Sequence, residues 1–272
     1  MAYFEYDSKK IYYEVHGEGK PLVLLNGLMM STLSWKMFEG ALSASNKLVL
    51  LDFLDQGQSD RMTDMEYNQD LQVDVLKALL DHLGLAKVAL AGISYGGNVA
   101  LKFTIAYPSY VDRLMIFNAA AKLGEYLKEI GQNWIMAKDD PAHFYSASIP
   151  IIYSSEFYNG KSQWMQERKG ILIKHVFNND SFMDGIVRLI KSTDDYNVEA
   201  GLHTITAKTL IVASEHDPIT PSTEQKHLHE GIKNSELILL PGCGHASMYE
   251  RPALFVTLVL GFANSVLEGL EI

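Results

Sequence analysis

Gly92-Ile93-Ser94-Tyr95-Gly96-Gly97 lies between an apolar run at 88–91 and a helix-like stretch at 98–103. A serine hydroxyl is a poor nucleophile unless it is held clear of its neighbours, beside a base and near donors for an oxyanion. A strand that turns at once into a helix meets these needs, and so tight a turn requires glycine at Gly92 and Gly96. Ordinary turns also contain Gly-x-Ser-x-Gly, but the order of strand, turn and helix here predicts a nucleophile elbow with Ser94 at its tip.

Strand and helix patterns alternate on both sides of this elbow. A helix is predicted at 70–80 and another after Pro252. The predicted strands, besides the one at 88–91, are 10–15, 21–25, 47–52, 111–118, 209–213 and 236–240. Strands separated by helices imply right-handed crossovers. The sequence therefore predicts an α/β fold with a mostly parallel central sheet flanked by helices on both faces.

The stretch 121–206 interrupts this alternation. It has helix-like pieces, no clear buried strand and many large aromatic residues. Such residues can serve only to pack the segment onto the rest of the protein, or they can line a pocket. We predict a core formed by 1–120 and 207–272, with 121–206 inserted as a helical cap.

Two further polar residues follow predicted strands in the last part of the chain. Asp217 follows the strand at 209–213, and His245 follows the strand at 236–240. A nucleophilic serine needs a base, and the base needs a carboxylate that orients it and stabilises the imidazolium. Glu215 is a competing candidate for the acid, but an Asp-Pro turn after a strand favours Asp217. The predicted catalytic residues are Ser94, Asp217 and His245, in that order along the chain.

This order and these motifs resemble the α/β-hydrolase fold superfamily. The similarity extends from Pro21-Leu22-Val23-Leu24-Leu25-Asn26-Gly27 through the elbow and the Asp217 loop to Gly244-His245. The resemblance implies an α/β-hydrolase fold with a cap over the active site. It also implies that the backbone N–H groups of Leu28 and Tyr95 form the oxyanion hole. Among capped members, small esterases, enol-lactonases and carbon-carbon hydrolases are the most similar.

The sequence departs from the usual superfamily motifs at two places. Asn26 stands where relatives usually have histidine before glycine. In the motif Asp-x-Arg-Gly-x-Gly-x-Ser, which begins at Asp52, Leu54 and Asp55 replace the arginine and the first glycine. Oxyanion donors belong to the backbone, so the change at Asn26 need not remove them. We expect Asp55 to be a solvated loop residue, although a polar group at the edge of the pocket is the alternative.

Other residues could suggest different chemistry. His216 and the pair His227 and His229 could bind a metal, but no third ligand with suitable spacing is evident, so surface histidines are expected. Cys243 is not in an elbow and is expected to be a small loop or core residue. The glycines around Ser94 lack the lysine of a P-loop and the spacing of a dinucleotide fingerprint. We therefore predict no metal and no cofactor.

Composition narrows the range of partners. The 272 residues include 33 acidic and 23 basic residues, which give a formal net charge of -10. This charge disfavours binding to nucleic acid. The N-terminal residues do not read as a signal peptide, and no apolar run approaches the roughly 20 residues of a membrane helix. With the single cysteine, these features predict a cytoplasmic protein that acts on a small molecule; its oligomeric state is not predicted.

The sequence thus predicts a serine hydrolase that cleaves an ester, thioester or lactone of a small, largely apolar substrate through an acyl-enzyme. The same triad could instead cleave a carbon-carbon bond in an enolisable ketone. A perhydrolase or haloperoxidase activity would be a side reaction of the same acyl-serine. A ligand-binding or signalling protein with slow turnover is the alternative from another class, because fold does not fix function.

Overall fold

The computed structural model describes residues 2–265 and contains one eight-stranded sheet. Its strands are β1 (Ala2–Tyr6), β2 (Lys9–His16), β3 (Lys20–Leu25), β4 (Asn46–Leu51), β5 (Val88–Ile93), β6 (Val111–Phe117), β7 (Lys208–Ser214) and β8 (Ser235–Leu240). The spatial order is β1-β2-β4-β3-β5-β6-β7-β8. β1 pairs with β2 and β2 with β4 in antiparallel fashion, and the remaining pairs are parallel. The predicted mostly parallel sheet and its seven strands are confirmed.

The strand β1 was not predicted. It forms a hairpin with β2 through Asp7 and Ser8, which have φ values of 47° and 65°. Two-residue hairpin turns of this kind usually carry Asn-Gly or Asp-Gly, because both central residues need a positive φ. The pair Asp-Ser lacks that glycine, so the turn signal was weak.

Helices cover both faces of the sheet and fill the long connections. They are α1 (Lys36–Ser43), α2 (Asp70–His82), α3 (Tyr95–Ala106), α4 (Glu125–Met136), α5 (Pro141–Ile152), α6 (Ser155–Gly160), α7 (Ser162–Ile171), α8 (Asp180–Lys191), α9 (Ser222–Gly231), α10 (Ser247–Glu250) and α11 (Pro252–Ala263). Short 3₁₀ turns precede α1, β6 and β7, and a π-helical turn at 172–176 follows α7. The predicted helices α2 and α11 are confirmed.

The two faces of the sheet bury separate apolar clusters. Along β3, Val23 and Leu25 belong to one cluster, and Leu22 and Leu24 belong to the other, because successive strand residues point to opposite faces. Helices α2 and α3 pack on the first face, whereas α1 and α11 pack on the second. The strand is fully buried on both sides, which explains its continuous run of apolar residues.

Five helices, α4 to α8, lie between β6 and β7; we call residues 125–191 the helical segment. It contains no named strand. Its buried aromatic side chains, Trp134, Phe144, Tyr145, Tyr153 and Phe177, belong to the same apolar cluster as Val23 and Leu25. The boundaries predicted for a core and a cap stay a prediction, and residues 266–272 of that core lie outside the described residues. Within 2–265, no helix is long and apolar enough to cross a membrane.

Candidate active site

Ser94 occupies the turn between β5 and α3. It is the residue before the first turn of α3 and has φ 52° and ψ -118°, a conformation that residues other than glycine rarely adopt. Its N–H donates to the Phe117 carbonyl of β6 at 2.9 Å, and its carbonyl accepts from the Asn98 N–H at 3.0 Å. Such backbone strain costs about 1–3 kcal/mol and persists where the surroundings hold it in place.

The glycines around Ser94 are needed for the close approach of neighbouring chains. A Cβ atom on Gly96 would lie 2.5 Å from the Leu25 carbonyl oxygen, and one on Gly92 would collide with the backbone of Gly96. Both contacts would be shorter than the Cβ atom of a real side chain can make. The predicted requirement for glycine at these two positions is confirmed.

Asp217 lies in the loop after β7, is almost fully buried, and accepts five hydrogen bonds. Its Oδ1 accepts from the N–H groups of Ile219 and Thr220 at 2.8 and 3.1 Å. Its Oδ2 accepts from Asn118 Nδ2 at 2.8 Å, from the Thr220 hydroxyl at 2.8 Å and from His245 Nδ1 at 2.7 Å. Burial by itself opposes ionisation, but the nearby His245 and the Thr220 donors outweigh it and hold the pKa of Asp217 below its usual range.

His245 lies in the loop after β8, and its ring is buried against the Asp217 carboxylate. Besides the bond to Asp217, Nδ1 lies 3.4 Å from the Thr220 hydroxyl. Both contacts use Nδ1, so within 2–265 Nε2 is left for another partner. A histidine whose Nδ1–H is fixed by a carboxylate presents a basic Nε2.

Glu215, the competing acid, lies apart from His245. It is exposed, and its Oε2 accepts the N–H of Gly242 at 2.8 Å. The structure therefore brings Asp217, and not Glu215, into contact with the histidine.

Ser94, Tyr95, Leu28 and His245 line one cavity of about 190 Å³. This volume lies below the range of roughly 300–1,000 Å³ that is typical of pockets for drug-sized ligands. Within the described residues, the N–H groups of Leu28 and Tyr95 donate to no protein acceptor. The oxyanion-hole prediction requires donors without a protein acceptor, and the assignment of these two N–H groups stays a prediction. The helical segment contributes much of the remaining wall, including Trp134, Ile149, Tyr153, Arg168, Leu172 and Phe177.

Asn26 and Gln56 hold the loop that carries Leu28. Asn26 donates from Nδ2 to the Leu51 carbonyl at 2.9 Å and to Gln56 Oε1 at 3.1 Å, and its Oδ1 accepts from the Trp35 indole at 2.7 Å. Gln56 Nε2 donates to the carbonyls of Gly27 and Leu28 at 2.9 and 3.2 Å. The departure from histidine at Asn26 thus leaves a buried and well-connected side chain.

The expectation of a solvated Asp55 is wrong. Its side chain is fully buried, and Oδ1 accepts from Arg188 of α8 through Nε at 3.0 Å and through a second guanidinium nitrogen at 2.6 Å. Oδ1 also accepts from the Met62 N–H at 3.1 Å, and Oδ2 accepts from the Tyr67 hydroxyl at 2.8 Å. A buried carboxylate needs such partners, and here they join the loop after β4 to the helical segment.

The histidines considered as metal ligands lie outside this site. His227 is hydrogen-bonded to Glu199 at 2.8 Å, and His229 to the Ser235 hydroxyl at 2.8 Å, and both are exposed, as is His216. Cys243 is buried, and burial is the main cause that raises the pKa of its thiol to about 12. A thiol with that pKa is a poor nucleophile, which agrees with the expected structural role of Cys243.

Sequence reasoning missed three supporting residues, namely Asn118, Thr220 and Gln56. Asn118 directly follows β6 at the same sheet edge as Ser94, so its position was the available signal. Thr220 and Gln56 lie in loops, and no pattern in the sequence indicates the atoms that they contact.

The chain is similar to known proteins over most of its length. A family model described as "Alpha/beta hydrolase family" matches residues 22–258. The AB hydrolase superfamily protein YisY of Bacillus subtilis (strain 168) is 29% identical over 266 residues, which are 94% of this chain and 96% of that protein. The 2-hydroxymuconate semialdehyde hydrolase of Pseudomonas sp. (strain CF600) is 24% identical, with 90% of this chain and 87% of that protein covered.

A solved structure is also similar over the entire chain. MGS-M2, an alpha/beta hydrolase enzyme from a Medee basin deep-sea metagenome library, is 41% identical with a TM-score of 0.97, and 100% of both chains is covered. The likeness therefore includes the helical segment as well as the sheet.

Proposed function

The chain belongs to the alpha/beta hydrolase family and is a hydrolase, and from that premise we propose that it cleaves an ester, thioester or lactone of a small, largely apolar substrate. The proposed reaction proceeds through an acyl-enzyme on Ser94. The helical segment acts as a cap that supplies the apolar wall of the cavity.

The mechanism assigns one role to each residue of the site. His245 accepts the proton of the Ser94 hydroxyl as the oxygen attacks the carbonyl, and later gives that proton to the leaving group. Asp217 fixes the histidine tautomer and stabilises the imidazolium. The N–H groups of Leu28 and Tyr95 stabilise the oxyanion, and water then releases the acyl group by the same steps.

One observation carries this proposal. The buried contact of 2.7 Å between His245 Nδ1 and Asp217 Oδ2 is next to a cavity whose wall includes a serine held at positive φ. A strained serine and a histidine oriented by a carboxylate are the two parts that nucleophilic acyl transfer requires.

Labelling with a fluorophosphonate probe, followed by hydrolysis of nitrophenyl esters of increasing acyl length, tests the proposal. We expect rapid labelling and turnover in the wild type and neither in Ser94→Ala, with kcat lowered about 10⁴-fold or more. Ser34→Ala is the matched control, because Ser34 also lines the cavity but is not at the elbow. Turnover by Ser94→Ala at a tenth of the wild-type rate would refute the role of Ser94, and labelling without turnover on any substrate would favour a ligand-binding protein.

Carbon-carbon bond hydrolysis is the second candidate, favoured by the similarity to a 2-hydroxymuconate semialdehyde hydrolase. The same triad could act on an enolisable ketone. Comparing kcat/KM for an ester and for a dienol ketone of matched size distinguishes the two reactions. A clear preference for the ketone would replace the ester in the proposal.

A further inference from the structure

Arg168 places a cation on the wall of a largely apolar cavity. It lies on α7, is half-buried, and lines the same cavity as Ser94 and His245. Its guanidinium lies 5.2 Å from the ring centres of both Trp164 and Tyr249. These contacts hold the side chain in place through the face of the guanidinium. They do not occupy its in-plane N–H donors, which a carboxylate would accept.

Within residues 2–265, the guanidinium of Arg168 has no carboxylate partner. Its Nε is buried and has no hydrogen-bond acceptor there. A buried charged donor without an acceptor is costly, and natural proteins keep such groups mainly where a ligand satisfies them. Lys128, also on the cavity wall, is different because it is paired with Glu125 at 2.7 Å.

Tyr153 provides a second unsatisfied donor on the same wall. Its side chain is only 4% exposed, and its hydroxyl has no acceptor among the described residues; the nearby guanidinium of Arg168 can only donate to the phenol oxygen, and it lowers the pKa of Tyr153. Burial is the first cause that raises the pKa of Tyr153 to about 12, so the phenol keeps its proton at neutral pH. The hydroxyl can therefore donate to an acceptor in the cavity.

The backbone around Tyr153 is joined to the loop of His245. The Ala246 N–H donates to the Ile152 carbonyl at 2.7 Å. Glu250 accepts from the Ser154 N–H at 2.7 Å and from the Gly244 N–H at 3.2 Å. The carboxylate of Glu250 is thus already occupied, by two backbone donors on Oε1 and by the Ser154 hydroxyl on Oε2 at 2.6 Å, and the backbone beside Tyr153 is fixed relative to the loop of His245.

We propose that Arg168 and Tyr153 form a subsite for a carboxylate of the substrate. The inference rests on the proposed function and makes it more specific: the preferred substrate is an ester or lactone with a second, ionised carboxyl group, such as a half-ester of a dicarboxylic acid. The fork of Arg168 binds one carboxylate through two hydrogen bonds, the phenol donates a third, and the apolar wall holds the methylene chain between the two ends.

The test compares monoethyl esters of straight-chain dicarboxylic acids with the same ethyl esters in which the free carboxyl group is replaced by an uncharged primary amide. Ester hydrolysis is followed by titration of the released acid. At the best chain length, we expect wild-type kcat/KM to be about tenfold to hundredfold higher for the acid than for the amide. Arg168→Met, which keeps most of the length that packs against the rings, should lower kcat/KM for the acid to about that for the amide. Tyr153→Phe reduces the preference in part.

Lys169→Met is the matched control. It removes the same charge from the next residue of α7, whose ammonium lies over Tyr145 and not on the cavity wall. It should leave the ratio of kcat/KM for the acid to kcat/KM for the amide unchanged. A wild-type ratio near one at every chain length, or an unchanged ratio in Arg168→Met, would overturn the subsite while the ester hydrolase stands.

Calorimetry separates failure of the subsite from failure of the proposed reaction. If neither ester is hydrolysed, binding of glutarate and adipate to the wild type is measured against Arg168→Met. Binding that the substitution abolishes supports the subsite although the proposed reaction has failed. Equal binding by both proteins, or none, overturns it.

Discussion

Replacing Asp217 with asparagine tests the acid most sharply, because the structure fixes how the new amide must lie. Oδ1 accepts two backbone N–H groups, those of Ile219 and Thr220, so this position must stay an oxygen. The amide nitrogen therefore takes the place of Oδ2. There it faces Asn118 Nδ2 at 2.8 Å and His245 Nδ1 at 2.7 Å, both of which donate to the aspartate oxygen in the wild type.

The consequence for His245 is a change of tautomer. An amide N–H directed at Nδ1 favours the ring with its proton on Nε2, which can no longer accept the proton of Ser94. Loss of the correct tautomer costs about 10⁴-fold in kcat in serine triads. This is about 5 kcal/mol of activation free energy at 1.36 kcal/mol per decade. Asn118 cannot turn its amide freely, since its Oδ1 accepts from the Ser247 hydroxyl at 3.0 Å. A buried donor left unsatisfied then lowers the free energy of unfolding by about 1–3 kcal/mol.

The assay is kcat and kcat/KM on a short nitrophenyl ester, with urea unfolding of each variant. Glu215→Gln is the matched control, because it is the same acid-to-amide change in the same loop and keeps an acceptor for the Gly242 N–H. It should change kcat by less than about twofold, as expected for an exposed group outside the site. A larger loss in Glu215→Gln than in Asp217→Asn would refute the reasoning.

Three further predictions follow from buried polar contacts. Arg188→Met leaves the buried Asp55 carboxylate without its cation and should lower the free energy of unfolding in urea by about 3–5 kcal/mol. Asp55→Asn should lower it less, because the Arg188 side chain that is left unpaired is 23% exposed and can reach water. Equal losses in the two variants would contradict this. Gln56→Leu frees the carbonyls of Gly27 and Leu28 and should lower kcat about tenfold with little change in KM, because the oxyanion donor is displaced; an unchanged kcat would oppose that role. The pKa of Asp217 is depressed in the folded protein, so the ionised carboxylate stabilises the fold above about pH 4, and this stabilisation is lost as the pH falls through the native pKa. The difference in the free energy of unfolding between wild type and Asp217→Asn should therefore narrow from pH 7 to pH 3. A constant difference would argue against a stabilising Asp217 carboxylate.

The fold and the position of Ser94 could be predicted because their signals are local. The strand, the glycine turn and the helix around Ser94 are contiguous, so hydrophobic pattern and glycine placement together specify them. Asp217 and His245 required one further rule, that residues after parallel strands share one edge of the sheet. The structure brings these two side chains into contact, while the catalytic roles of all three residues stay predictions.

The contacts of Asp55 and Arg168 could not be predicted in this way. Arg188 lies 133 residues from Asp55 in the chain, and both residues carry charges that are usually solvated. No periodicity marks such a pair, because it depends on how the helical segment packs onto the loop after β4. The unsatisfied donors of Arg168 and Tyr153 give no signal in the sequence either, because only the folded chain determines which polar groups lack an acceptor.

Asp55 also shows how a departure from a family motif can keep the structural role of its position. Relatives usually have glycine at this position, and Asp55 keeps the backbone conformation that favours glycine, with φ at 71°. Aspartate tolerates that conformation better than most residues, but it still carries strain of about 1–3 kcal/mol. The carboxylate offsets this strain through Arg188, Tyr67 and the Met62 N–H. The position therefore keeps its turn and also anchors α8. We expect the contributions of Asp55 and Arg188 to the free energy of unfolding to depend on each other.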